Sequence, residues 1–129
     1  MKEFMLLIRN EKDHQSEWTD EKHNLFLKSC EVYIGELKKE KRLIAAQPLV
    51  RDGKMVSGSK DNWKECAFSD TKEVMVGYYH ILANDITDAV EVAKRNPEFE
   101  YSTTARVEVR PIKVKEDSTG YTYPEQEAS

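Results

Sequence analysis

The residues best suited to chemistry in this chain are one histidine and one cysteine set among apolar neighbours. His80 stands inside "VMVGYYHILA", residues 74–83, and Cys30 recurs with Phe26, Tyr33, Ile34 and Leu37 at helical spacing. Imidazole moves protons at neutral pH, and a thiolate is a strong nucleophile. If the fold sets the two side by side they make a base and a nucleophile. Apart, each has an ordinary explanation: a half-buried histidine bonded to Tyr78, a carbonyl or a carboxylate, and a cysteine used as a small hydrophobe. His14 and His23 lie in polar surroundings and read as solvated. Cys30, Cys66 and His80 have no metal-ligand spacing, so neither a metal nor a cofactor is indicated. Arg110 has the planar fork that grips a carboxylate, although a row such as Arg106, Glu108, Arg110 equally suits ion pairing across strands or subunits.

The elements that must position these residues follow from periodicity. Phe4 to Ile8 is a continuous apolar run of strand length. Thr19 offers an N-cap, and Asp20 and Glu21 favour the positive end of a helix that runs on to a basic end at Lys38, Lys39, Lys41 and Arg42. A second strand spans Leu43 to Gln47 and meets Pro48, which suits an edge. Asp52-Gly53 predicts a small hairpin flanked by residues 49–51 and 54–56. The polar stretch 57–73 predicts a long surface loop pinned by Trp63 and Phe68. In the strand from Val74 to Ala83, strict alternation sets Val74, Val76, Tyr78, His80 and Leu82 on one face. A second helix begins at Asp85 and stops at Asn96-Pro97. In the last strand Ala105, Val107 and Val109 alternate with Arg106, Glu108 and Arg110.

This order, β-α-β-(hairpin, loop)-β-α-β, predicts an α+β fold, a ferredoxin-like sandwich with an extra hairpin and two helices on one face of an antiparallel sheet. The first and third strands, apolar on both faces, belong in the middle, and the second and fourth at the edges. Helices cover only one face. A second copy of the chain is the economical cover for the other, so a homodimer is expected. Residues 1–113 form one domain, and residues 114–129 read as a polar, flexible tail whose Tyr121, Tyr123 and Pro124 could dock on the partner.

Composition limits the function. The chain has 129 residues, a net charge of -4 and 34% charged residues. That charge leaves no basic footprint for nucleic acid, and no run approaches the roughly 20 apolar residues of a membrane helix. The five-residue apolar run near the start is too short for a signal-peptide core. A reduced, cytoplasmic protein is the expectation.

The stretches "KEFMLLIR", "KRLIAAQPL", "TKEVMVGYYHILANDITDAVEVAKRNPEFE" and "ARVEVRPI" together resemble the YCII-related proteins over about residues 3–113, specifically the branch with a DGPF motif. The resemblance implies a dimeric ferredoxin-like fold, relatives acting as lyases or dehalogenases on ring compounds, and a catalytic pair: a histidine on the first helix and an aspartate before a proline. By position Cys30 stands for that histidine and Asn96, before Pro97, for the aspartate. The pair is absent. Glu65-Cys66-Ala67-Phe68 replaces DGPF and keeps only Phe68, while Thr71-Lys72-Glu73 is retained. Amide groups have no proton chemistry at neutral pH, so an inherited acid-base mechanism is not expected. Two functions remain open. One is binding of a small organic molecule, with Tyr78, Phe68, Asn96 and Arg110 as ligand contacts. The other is a lyase or isomerase with His80 as base and Cys30, Arg110 or Tyr78 assisting.

Overall fold

A computed structural model describes residues 1–68 and 71–124. Residues 69–70 of the expected loop and 125–129 of the expected tail lie outside the described residues. The first strand, β1 (Lys2–Glu11), buries alternate positions, Phe4, Leu6, Ile8 and Asn10, while the residues between them are half-buried. The helix α1 (Asp20–Lys39) starts where Thr19 Oγ1 accepts from the Lys22 N–H at 3.1 Å, and it lays Phe26, Tyr33 and Leu37 on the sheet. Lys41, at φ 59, turns the chain into β2 (Leu43–Pro48). Then come β3 (Met55–Ser59), β4 (Asn62–Cys66) and β5 (Glu73–Ala83). The helix α2 (Ile86–Lys94) is capped by Asp85, whose side chain accepts from the Asp88 N–H at 2.8 Å. A short α3 (Glu98–Tyr101) leads to β6 (Arg106–Pro111).

The main sheet is antiparallel in the order β2-β5-β1-β6, so the two apolar strands are central and the strands carrying proline and charge are at the edges. The result is a mixed α+β domain consistent with a ferredoxin-like arrangement. One core joins the helices to one sheet face, with Phe4, Leu6, Ile8, Tyr33, Leu37, Ile81 and Val92 at its centre. Tyr33 donates its hydroxyl proton to the Val92 carbonyl at 2.8 Å, which locks α1 to α2 without stranding a buried polar group. Arg42 reaches Asp88 at 2.8 Å and fixes the start of β2 against α2.

Three features depart from the sequence reading. The hairpin is not at Asp52-Gly53: β3 and β4 pair further along, closed by Lys60-Asp61, with Asp61 at φ 69 and Gly58 at φ 117. A Cβ on Gly58 would lie 2.1 Å from the Asn62 carbonyl oxygen, so glycine is required there and selects this turn over the Asp-Gly pair. Trp63, expected to pin a loop, is 64% exposed on that hairpin. In β5, Ile8 pairs with Gly77 and Arg9 with Met75, leaving Val76 as a bulge. The extra residue resets the alternation, so Val74 is buried on the helix side instead of sharing a face with His80. As expected, the second helix stops ahead of Asn96-Pro97, α2 being capped at Arg95, and Pro97 then serves as the N-cap of the separate short helix α3.

The stretch after β6 is folded back on itself by a bridge between Lys115 and Thr122, with Tyr121 and Tyr123 edge to face at 5.2 Å.

Core and hairpin should respond differently to truncation. Leu6→Ala, at a fully buried position, should cost about 2–5 kcal/mol in urea unfolding, and Trp63→Ala less than about 0.5 kcal/mol.

A cavity between the first helix and the sheet

A cavity of about 430 Å³ opens between α1, the β2 side of the sheet and the loop joining β1 to α1. Its walls are mostly apolar, with Ile8, Phe26, Ile34, Pro48 and Val76 among them. Small residues create the space. Gly77 and Ala46 line it from the sheet, and Cys30 lines it from the helix.

The polar floor is built from the end of β1 and from α3. Asn10 continues the inward phase of Phe4, Leu6 and Ile8 and is fully buried. Its Nδ2 donates to Glu98 Oε2 at 3.0 Å and to Ser102 Oγ at 3.1 Å, while its Oδ1 accepts from Thr104 Oγ1 at 2.6 Å. Glu98 is buried as well. Asn96 Oδ1 accepts from the Glu98 N–H at 2.9 Å, which aims Asn96 Nδ2 away from that turn. His14, in the loop after β1, has only 2% of its side chain exposed and lies with Nε2 3.7 Å from Glu98 Oε2. His14 Nδ1 is 2.9 Å from the Glu11 carbonyl oxygen. A carbonyl only accepts, so Nδ1 carries the hydrogen and Nε2 of the neutral ring holds a lone pair. Trp18 packs edge-on to His14, and Trp18, Phe26 and Tyr101 form a mutual aromatic cluster that fixes the loop over the floor.

Two buried polar atoms have no partner among the described residues, His14 Nε2 and Asn96 Nδ2, and both residues line this cavity. Each unmet group costs about 1–3 kcal/mol, which an ordinary core would not carry without return.

Burial, and after it the charges of Glu98 and Glu31, pushes the Cys30 thiol up to about 11. The cavity thus holds a neutral thiol, a poor nucleophile. Burial likewise pushes the Tyr79 hydroxyl well above the ordinary phenol range.

Of the residues singled out from sequence, Cys30 and Asn96 reach the cavity, and the others do not. His80 lies on the opposite face of the sheet, pairing with Met5 and Ala45, and its Nε2 is 2.8 Å from Glu3 Oε1. That carboxylate partner belongs to the ordinary explanation of a half-buried histidine, and His80 and Cys30 do not meet within one chain. Tyr78 shares the outer face with Leu7 and Gln47. Arg110 is there too, 3.3 Å from Glu108, whose other carboxylate oxygen is 3.5 Å from Arg9. Phe68 packs over Gly53, away from the cavity. His14 is the main correction: expected in solvent, it is enclosed. The sequence held one usable signal, since the buried phase of β1 runs on to Asn10 and implies polar partners there. Among the described residues no group of three or more His, Cys, Asp or Glu could hold a metal ion, and no helix is long and apolar enough to cross a membrane.

A model of the YCII-related domain matches residues 2–113. The chain belongs to the YCII-related family. No curated protein matches it significantly. In this member of the family, the two positions at which the resemblance implies a histidine and an aspartate hold Cys30 and Asn96, and both open on the same cavity.

The buried thiol gives a direct check. In a Cys66→Ser variant, iodoacetamide should modify Cys30 slowly at pH 7.5 and steadily faster up to about pH 11, following the raised thiol pKa. Rapid labelling at pH 7.5 would contradict the buried, protonated state.

Proposed function

We propose that this protein binds a small, largely apolar organic molecule in the cavity between α1 and the sheet, as a binding or accessory protein of the reduced cytoplasm. The observation that carries this reading is the pair of buried polar atoms without a hydrogen-bond partner, His14 Nε2 and Asn96 Nδ2, in residues lining a mostly apolar cavity to which Glu31, Arg51 and Glu98 also contribute. Apolar walls with a few convergent polar groups are the usual makeup of a ligand site, and the volume is within the roughly 300–1,000 Å³ range of such pockets. The missing histidine–aspartate pair and the protonated Cys30 favour binding over turnover. The alternative is a lyase or isomerase with His80 as base. It requires His80 to share a cavity with Cys30, and in the single chain they lie on opposite faces.

The functional unit we propose is a homodimer joined through the outer sheet face. Met5, Leu7, Tyr78 and Leu82 on that face are half-buried by their neighbours and apolar across two central strands. Beside that patch Glu108 on β6 already pairs within the chain with Arg9 on β1 and with Arg110, so its carboxylate enters the contact with an identical copy compensated. The retained Phe68 and Thr71-Lys72-Glu73 support reading the chain as a diverged member of the DGPF branch.

Protein-observed NMR with one-ring aromatic probes should shift the amides of Ile8, Val76 and Gly77. Cys30→Phe, which fills the cavity from α1, should abolish those shifts, and His80→Phe should leave them unchanged. Loss of binding in a folded His80→Phe variant would favour the enzymatic reading. Sedimentation at micromolar concentration should give twice the chain mass, and Leu7→Glu should return the monomer; a wild-type monomer would refute the proposed dimer.

A further inference from the structure

Resting on that reading of the cavity, we propose the class of molecule it takes: a neutral, largely apolar compound bearing a hydrogen-bond acceptor and a donor side by side, a primary carboxamide being the simplest. Its acceptor meets Asn96 Nδ2–H and its donor meets His14 Nε2. Local bonds fix the polarity of both groups. Asn96 Oδ1 is held by the Glu98 N–H at 2.9 Å, so the nitrogen is the atom left to face the cavity. His14 Nδ1 gives its hydrogen to the Glu11 carbonyl at 2.9 Å, so Nε2 accepts. Arg51 Nη2 also approaches Nδ1, at 3.3 Å. A nitrogen already bearing hydrogen cannot accept from it, so the shorter carbonyl bond decides the tautomer.

Both groups are more than nine-tenths buried, His14 with 2% of its side chain exposed and Asn96 at 3%. Both are anchored on one residue, Glu98: Asn96 through its backbone N–H and His14 beside its carboxylate. This shared anchor, in the wall of one cavity, is the ground for assigning both groups to one functional group of the ligand. The same Glu98 argues against an anion. A ligand carboxylate has only acceptors to offer, and it would face both the imidazole lone pair and the buried carboxylate of Glu98, whose Oε2 already accepts from Asn10. A site with buried groups awaiting partners should also reject analogues that lack those partners.

Four probes of one shape separate the possibilities on the full chain labelled with ¹⁵N: benzamide, acetophenone, isopropenylbenzene and benzoate. Benzamide should bind tightest. Acetophenone, which lacks the donor, should be weaker by about tenfold, and isopropenylbenzene, which lacks both groups, by about tenfold again. Benzoate should be the weakest. The His14 Nε2 resonance should move with benzamide and not with acetophenone. His14→Phe should erase the gap between those two while isopropenylbenzene still binds; if that variant fails to fold, the wild-type ranking and the imidazole resonance decide. Equal affinities would overturn the proposal and leave an unselective apolar cavity. Tightest binding of benzoate would overturn it in favour of an anion site. If none of the four perturbs a cavity amide at millimolar concentration, the binding function itself fails, a result distinct from binding without selectivity.

Discussion

The arrangement of the site depends on burying one amide side chain. Asn10 ends the inward row of β1, in phase with Phe4, Leu6 and Ile8, at a depth where water is excluded. A buried amide must be met on all sides or it opposes folding. One short stretch of chain, from α3 to the start of β6, turns three side chains to meet it: Glu98, Ser102 and Thr104. That convergence draws α3 beneath the start of α1 and brings a carboxylate into the interior. Glu98 in turn collects Asn96 through its backbone and faces His14. The polar floor is thus a consequence of one non-apolar residue at the end of an apolar strand.

The space above that floor has a separate origin. A regular β5 would set Gly77 and the residues around it in strict alternation, but the Val76 bulge adds a residue and brings both Val76 and Gly77 to the cavity side. A Cβ at Gly77 would lie 3.0 Å from the Gln47 carbonyl oxygen and 3.3 Å from Pro48 Cα, so glycine permits the close approach of the edge strand β2. Gly77 also lines the cavity, so the strand contact and the pocket meet at one residue.

These origins explain what could be read from the sequence. The helices, their caps at Thr19 and Asp85 and the central and edge strands were legible, because each rests on local spacing of apolar residues or on a capping side chain a few residues away. The bulge was not, since one inserted residue leaves no mark on composition and yet reverses the faces beyond it; His80 and Val74 were assigned together for that reason. The hairpin was misplaced because Asp52-Gly53 and Lys60-Asp61 compete as turns, and Gly58, pressed on the Asn62 carbonyl, favours the second. Cys30 and Asn96 were found, though by resemblance and not by chemistry. His14 was missed because its neighbours Asp13, Gln15 and Ser16 are polar, and only the tertiary packing of Trp18 against it shows that the loop folds inward.

The sheet separates two histidine–carboxylate pairs that resemble each other chemically but differ in what surrounds them. On the outer face His80 and Glu3 touch at 2.8 Å. His80 Nε2 and one Glu3 oxygen satisfy each other there. On the inner face His14 and Glu98 stand 3.7 Å apart, too far for a hydrogen bond, with the carboxylate already occupied by Asn10 and the imidazole nitrogen left over. A satisfied pair contributes to the fold, whereas an unsatisfied one beside an apolar cavity gains free energy only when a ligand arrives. That difference of about 1 Å, set by the demands of Asn10, is why the inner pair carries the functional reading even though the outer histidine is the more conspicuous residue in the sequence.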